Sequence, residues 1–291
     1  DGDGYAGTQD DKDFTMILTC TRPGDPDGAQ GTFSRTVSVA AGAGPVTISD
    51  VVPFGWNCTV SEAALNDNLL VDASYTWSGV TVTPEQVTLS NRTPSANVVV
   101  QNTTARTYGT FTVTKSLVGV PVSAVTDDFS GTWSCKYLND APVEGTWTVG
   151  AAGGEATLSS NNWPTSTPGQ VLTGSVCTVA EGEKPDLIDG SWAWKAETIS
   201  DDVTIAKGQT SNITVTNTAE RVYAGFTITK SYTELAGALK PNAAVAGSWS
   251  CTYDSGVAGE TAVTYDGRWT LPAAGGSVTI TEDANGRKIP A

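Results

Sequence analysis

A unit of about 115 residues recurs along this chain, and no other feature of the sequence restricts the possible folds as strongly. Residues 101–117 (QNTTARTYGTFTVTKSL) and 216–232 (TNTAERVYAGFTITKSY) are identical at nine of seventeen positions. GTWSCKY at 131–137 matches GSWSCTY at 247–253, and KDFTMILTCTR at 12–22 is a fainter copy of the same segment. Repetition at a regular spacing indicates a tandem array of one structural unit.

The unit occurs three times, at 1–104, 105–219 and 220–291, which we call the first, second and third repeats. The second repeat is complete. The first has no segment that matches FTVTK, and the third stops before its second cysteine. We therefore expect the chain to be part of a longer array.

Short stretches of alternating polar and apolar residues predict strands. In FTVTK, Phe111 and Val113 fall on one face of a strand, with Thr112 and Thr114 on the other. Abundant Val and Thr, frequent turn residues and strands about ten residues apart are typical of antiparallel sandwiches. No segment has a convincing helical period. The sequence predicts an all-β fold of tandem immunoglobulin-like antiparallel β-sandwich repeats.

The cysteines fall at similar long separations within the first two repeats. This indicates one disulfide per repeat, Cys20–Cys58 and Cys135–Cys177, each bridging two strands across the core, and hence an oxidising compartment. Unpaired core thiols are the alternative. We expect Cys251 to be unpaired because its partner would lie beyond residue 291. The sequence has no histidine and no C-x-x-C pair, so we predict no metal site and no cofactor.

The formal net charge is −15, and no cluster of Lys and Arg interrupts it. Such a surface repels nucleic acid and anionic membrane, so we expect neither as a partner. No run of about 18 apolar residues occurs, so we expect no membrane insertion in this segment.

Three polar residues fall at core-facing positions of the predicted strands of the second repeat: Lys115, Glu181 and Asn217. The other repeats carry parts of the same set, with Glu62 and Asn102 in the first and Lys230 in the third. Because the set recurs, it belongs to the unit. Burial of a charged lysine without a partner is costly, so we expect these side chains to interact.

The first strand ending in lysine, the segment CTVAE and the last strand ITVTNT together resemble the B-type (CnaB-like) repeat of collagen adhesins and Gram-positive pilins. In that family a first-strand lysine joins a last-strand asparagine in an isopeptide bond, assisted by an acidic residue on a middle strand. The resemblance implies Lys115 as nucleophile, Asn217 as acceptor and Glu181 as catalyst. It also implies partial crosslink sets at Glu62, Asn102 and Lys230. Cys177 and the long loop GEKPDLIDGSW depart from the family pattern.

The implied chemistry is single-turnover self-crosslinking, because the chain would act on itself and on no substrate. Desolvation favours a neutral lysine amine, which is a usable nucleophile. A protonated glutamate would polarise the asparagine amide while ammonia leaves. Two alternatives stay open: a buried, hydrogen-bonded cluster without a bond, or a lysine whose tip reaches solvent.

The resemblance implies a non-enzymatic stalk or fibre segment of a bacterial surface protein, extracellular and either attached to the cell wall or secreted. Its partners would be neighbouring repeats or identical subunits. One alternative is an adhesin module that binds a host protein or glycan, which an exposed cluster of Trp163, Trp192 and Trp194 would favour. Another is a spacer in a secreted enzyme. We also expect Tyr108 and Tyr223, in the links between repeats, to pack between neighbouring repeats.

Overall fold

The computed structural model describes residues 13–24, 31–49, 52–233, 242–257 and 259–291, and these residues form strands and turns without an α-helix. Short 3-10 turns lie at Asp67–Leu69 and Val122–Ala124. The chain divides into two compact units. One comprises 1–110 with 169–175 and 205–209, and the other comprises 111–168, 176–204 and 210–291. In the described ranges, no helix is long and apolar enough to cross a membrane.

The first repeat is a pair of antiparallel sheets. Its strands are β1 (Asp13–Thr21), β2 (Thr32–Ala40), β3 (Asn57–Glu62), β4 (Tyr75–Thr83), β5 (Val87–Thr88) and β6 (Val99–Arg106). One sheet has the order β2-β1-β3-β5, and the other pairs β4 with β6. Phe14 of β1 meets Trp77 of β4 edge to face, with ring centroids 6.0 Å apart, so the two sheets pack against each other.

The second repeat is the most complete sandwich. Its strands are β7 (Tyr108–Val118), β8 (Phe129–Lys136), β9 (Val143–Val149), β10 (Gly154–Glu155), β11 (Thr157–Ser159), β12 (Val171–Leu172), β13 (Val176–Glu181), β14 (Trp192–Ile199), β15 (Val203–Thr204) and β16 (Thr210–Arg221). One sheet runs β10-β7-β16-β14, with β12 on β7, and the other runs β11-β9-β8-β13-β15. Phe111 of the first sheet meets Trp133 of the second, with ring centroids 5.2 Å apart.

The third repeat uses the same packing. Its strands are β17 (Tyr223–Ala224), β18 (Phe226–Lys230), β19 (Val245–Tyr253), β20 (Val263–Leu271), β21 (Gly276–Ile280) and β22 (Ile289–Pro290). Phe226 of β18 and Trp249 of β19 repeat the Phe111–Trp133 contact, with centroids 5.4 Å apart. Tyr265, Ile280 and Ile289 form the buried centre of this repeat. The predicted all-β, antiparallel architecture is therefore confirmed.

Reciprocal tryptophan–glycine pairs connect the neighbouring strands β8 and β9 of the second repeat. Trp133 lies opposite Gly145 and Trp147 lies opposite Gly131 across β8 and β9. Each indole covers the glycine on the facing strand, where a side chain would collide with it. The third repeat has the same arrangement on β19 and β20. The paired G-x-W segments are therefore a core device of the repeat, which explains why these tryptophans recur.

Both predicted disulfides are present, but they do not cross the core. Cys20 and Cys58 are direct partners on neighbouring strands β1 and β3, as are Cys135 and Cys177 on β8 and β13. The expectation of a bridge across the core was wrong, because the two cysteines of each pair lie on neighbouring strands of the same sheet. Cys251 is free and partly buried.

We expect loss of the Cys135–Cys177 bond to destabilise the second repeat by about 2–4 kcal/mol, because the bond restricts the unfolded chain across 42 residues. The measurement is urea unfolding of the Cys135→Ala/Cys177→Ala variant, followed by tryptophan fluorescence. Cys251→Ser is the matched control and should leave the midpoint unchanged. A double variant that unfolds with the parent protein would show that the bond contributes nothing.

The linker tyrosine of the third repeat does not pack as expected. Tyr223 pairs with Pro290 across β17 and β22, and its side chain is half exposed. The prediction for Tyr223 was wrong because half of its surface is exposed and its ring lies beside Lys288, whose Nζ is 5.5 Å from the ring centroid. Tyr108 is partly buried and pairs with Leu172, and its inter-repeat role stays a prediction.

Candidate crosslink site

Strand alternation brings one polar side chain from each of three strands into the core of the second repeat. Along β7, Phe111, Val113 and Lys115 are buried while the residues between them are not. Asn217 continues a buried row on β16, and Glu181 ends the row on β13 that begins with Cys177. Strands β7 and β16 are neighbours in one sheet, and β13 belongs to the opposite sheet. The three side chains therefore meet between the sheets.

The three side chains form one hydrogen-bonded cluster around a single carboxylate oxygen. Lys115 Nζ donates to Glu181 Oε1 at 2.5 Å, and Asn217 Nδ2 donates to the same oxygen at 2.9 Å. The side chains of Lys115 and Glu181 have no exposed surface, and Asn217 is fully buried. The lysine nitrogen also lies 4.6 Å from the centroid of the Phe129 ring. A lysine that reaches solvent is thereby excluded.

Two atoms of the cluster lack a hydrogen-bond partner among the described residues: Glu181 Oε2 and Asn217 Oδ1. Such atoms are uncommon in protein cores because each loses its hydration without compensation. Half a turn of the asparagine amide would exchange Oδ1 and Nδ2, so that Oδ1 would face Glu181 Oε1. A carboxyl that carries a proton at this oxygen would then donate to the amide carbonyl.

The surroundings of Lys115 favour its neutral form. Burial lowers the pKa of Lys115 below its usual 10.5, and this effect outweighs the hydrogen bond that Lys115 donates to Glu181 and the more distant charge of Glu197, which both raise the pKa. Lys184 adds a smaller lowering effect on the pKa of Lys115. An amine in a dry site with a depressed pKa is a competent nucleophile for the neighbouring amide carbon.

An ion pair that the sequence did not indicate lies beside the cluster. Lys184 Nζ is 2.6 Å from Glu197 Oε2 and 4.0 Å from Glu181 Oε2. Glu197 lies directly opposite Asn217 in the pairing of β14 with β16. The separation of three residues between Glu181 and Lys184 is a sequence signal for the contact between these two side chains. Glu197 has no such signal, because only the register of β14 on β16 places it opposite Asn217.

The first repeat contains the same carboxylate–amide pair. Asn102 Nδ2 donates to Glu62 Oε1 at 2.9 Å, and Glu62 Oε2 and Asn102 Oδ1 have no partner among the described residues. The carboxylate–amide pair of the second repeat therefore recurs in the first, with the same hydrogen bond and the same two atoms without a partner in the described part of the chain. Lys230 of the third repeat is exposed at the end of β18, with Nζ 5.3 Å from the centroid of the Tyr232 ring.

An exposed tryptophan cluster, which would favour the alternative of an adhesin module, is not formed by Trp163, Trp192 and Trp194. Trp163 stacks on Trp133 with centroids 4.8 Å apart, and Trp194 meets the edge of Phe129 at 6.0 Å. Trp192 lies under the guanidinium of Arg221 at 4.2 Å. All three are partly buried in separate contacts, so they do not supply the feature that would favour an adhesin module.

Comparison with solved structures finds distant similarity to Gram-positive proteins. The major pilin T-13 of Streptococcus pyogenes serotype GAS131465 is 14% identical, with 75% of this chain and 94% of that chain covered at a TM-score of 0.30. Another Streptococcus pyogenes major pilin is 11% identical, covering 72% and 92%, also at 0.30. The Bacillus anthracis TIE protein is 10% identical, covering 89% of this chain and 44% of its own, at 0.28. TM-scores this low do not support a transfer of function.

No curated protein sequence matches the chain. A protein-family profile does match it, twice in succession, over residues 1–105 and 111–220. These two matches cover most of the chain and coincide closely with the first and second repeats. The chain therefore belongs to the family described as Domain of unknown function (DUF5979) and carries two consecutive copies of its domain.

Proposed function

We propose that this chain is a structural segment of an extracellular bacterial stalk or fibre, and that the second repeat closes itself with an isopeptide bond between Lys115 and Asn217. The observation that supports this most directly is the fully buried cluster of Lys115, Glu181 and Asn217. The disulfides support an oxidising, extracellular location. The tandem repeats support a chain whose partners are neighbouring repeats or identical subunits.

The proposed reaction is an amide exchange. The neutral amine of Lys115 attacks Cγ of Asn217, a new C–N bond forms, and the bond from Cγ to Nδ2 breaks. In the reacting form that we propose, Glu181 carries a proton and donates a hydrogen bond to the amide carbonyl as charge develops on the oxygen. It then carries the proton lost by the lysine nitrogen to the departing nitrogen, which leaves as ammonia. The atoms balance with the loss of one ammonia and no change in oxidation state.

The position of the bond explains what it would do for a fibre. Lys115 lies on the first strand of the repeat and Asn217 on the last. Tension applied at the two ends of the repeat would pass through this bond, so the chain between the two residues would carry none of it. The Cys135–Cys177 bond lies inside that protected stretch. A repeat closed in this way would resist extension, as a stalk requires.

The test is the intact mass of the whole chain, before and after reduction, beside the Lys115→Ala and Asn217→Ala variants. After reduction of the disulfides, we expect the parent chain to weigh one ammonia less than its sequence predicts, and both variants to have their full sequence masses. Peptide mapping should then find the segments of Lys115 and Asn217 joined. A parent chain with no loss of ammonia would contradict the crosslink and leave the disulfides as the only covalent links within the described repeats.

A further inference from the structure

Four polar side chains meet at the point where the second repeat ends and the third begins. Arg221 is the last residue of β16, and Asp189 and Ser191 lie in the loop just before β14. Tyr253, the last residue of β19, comes from the third repeat. All four belong to the same compact unit. Sequence reasoning placed a tyrosine at this junction but named Tyr223, which is exposed.

The hydroxyl of Tyr253 is held from both sides. Arg221 Nη1 donates to Tyr253 Oη at 2.5 Å, and Tyr253 Oη donates to Asp189 Oδ2 at 2.9 Å. The guanidinium lies 4.2 Å from the ring centroid of Trp192 and 5.2 Å from that of Tyr253. A phenol can donate and accept at once, whereas phenylalanine can do neither. The site is therefore chemically selective for tyrosine.

Ser191 and Asp189 form the floor of the site. Ser191 is completely buried, accepts from Arg221 Nη1 at 2.6 Å and donates to Asp189 Oδ1 at 2.6 Å. Burial acts to raise the pKa of Asp189, but hydrogen bonds from Ser191 and Tyr253 outweigh it, so the pKa lies below its usual value. The carboxylate therefore stays ionised opposite Arg221, and the site keeps its charge over the neutral range.

The first repeat contains the part of this arrangement that the aspartate, the serine, the arginine and the aromatic ring form. Ser74 N donates to Asp72 Oδ1 at 2.7 Å, and Arg106 Nη1 donates to Ser74 Oγ at 2.9 Å. The Arg106 guanidinium lies 3.8 Å from the centroid of the Tyr75 ring, as that of Arg221 lies over Trp192. The sequence signal is D-A-S-Y at 72–75 and D-G-S-W at 189–192, each with an arginine at the end of the last strand. The arrangement is therefore a feature of the repeat.

We propose that the Asp-x-Ser-aromatic loop and the arginine ending the last strand form a recognition site for the repeat that follows. Its ligand is the tyrosine hydroxyl two residues after the first cysteine of that next repeat, as Tyr253 follows Cys251. The site fastens the start of one sandwich to the end of the previous one and makes the joint stiff. This inference does not depend on the Lys115–Asn217 bond, because none of the four side chains belongs to the crosslink cluster.

The experiment is limited trypsin digestion of the full chain, with cleavage after Arg221 measured by mass spectrometry. When Tyr253 is bound, the guanidinium of Arg221 is held by hydrogen bonds, and Val222 N donates to Ser191 O at 2.8 Å. The peptide bond between Arg221 and Val222 is therefore protected from trypsin. Tyr253→Phe keeps the ring and removes only the hydroxyl. We expect it to raise the rate of cleavage at Arg221 about tenfold, since it loses hydrogen bonds to charged groups.

The matched control is Tyr223→Phe, which removes the hydroxyl of the exposed tyrosine in the same link and should leave the rate unchanged. Cleavage after Lys136, in the middle of the second repeat, reports general unfolding and should not rise. Ser191→Ala combined with Tyr253→Phe should add little to either single change, because both disrupt one network. Equal rates for Tyr253→Phe and the parent chain would overturn the proposal, as would a parallel rise at Lys136.

Discussion

Gly145→Ala is expected to unfold the second repeat at temperatures where the parent chain is folded. A Cβ at this position would lie 1.8 Å from the carbonyl oxygen of Ser159 and 2.7 Å from the ring of Trp133. The first contact is with backbone held in the pairing of β9 with β11, so neither neighbour can move away cheaply. We expect a loss of about 3 kcal/mol or more in the free energy of unfolding, at the upper end for overpacked cores.

The measurement is thermal unfolding followed by tryptophan fluorescence, in which Trp133 and Trp147 report on this core. A loss of this size corresponds to a fall in Tm of roughly 10 °C or more for a domain of this length. Gly190→Ala is the control. A Cβ there meets nothing within 4 Å, and alanine restricts the unfolded chain more than glycine does, so this variant should lose no stability. Equal midpoints for the two variants would show that the tryptophan–glycine pairing does not restrict this position.

Glu181→Ala is expected to produce the second large effect, because it leaves the Lys115 nitrogen buried without a partner. It also removes Glu181 Oε1, which accepts the hydrogen bond of Asn217 Nδ2. A buried amine that loses its hydrogen-bond partner costs about 1–3 kcal/mol, and about 3–5 kcal/mol where it keeps its charge. We expect Tm to fall accordingly and the loss of ammonia to disappear from the intact mass.

The control for this prediction is Lys115→Met/Glu181→Gln. It also prevents the crosslink, but it removes both charges and keeps an acceptor for the asparagine amide. Replacement of a buried ion pair by neutral side chains of similar size is often nearly neutral for stability. The difference between the two variants in urea unfolding therefore isolates the unpaired lysine. If the two variants were equally stable, the unpaired lysine nitrogen would not be the cause.

Much of the crosslink site followed from the sequence because strand alternation is a local property. Once FTVTK was assigned to a strand, the side chain of Lys115 had to lie on the same face as Phe111 and Val113. The same rule placed Glu181 and Asn217 inward, and the repeats showed that these positions were not accidental. The buried rows on β7, β13 and β16 have the predicted phase.

The contacts between strands did not follow, because register and the packing of sheets depend on residues far apart in the chain. The cysteines are a clear case: alternation turned them inward, but only strand order made Cys135 and Cys177 neighbours in one sheet. The choice of Tyr253 over Tyr223 at the junction has the same origin. A tyrosine next to the linker was the natural candidate by sequence, but Tyr223 pairs with Pro290 and is half exposed.

The repeated unit, the all-β fold, one disulfide in each of the first two repeats and the inward direction of Lys115, Glu181 and Asn217 all follow from the sequence. These features depend on spacing and alternation, which act over a few residues. The packed sandwiches were needed to show that Glu181 Oε1 accepts from both other side chains, and that Arg221 and Asp189 hold the hydroxyl of Tyr253. Those contacts join different sheets or different repeats, and their geometry exists only after the sandwiches have packed.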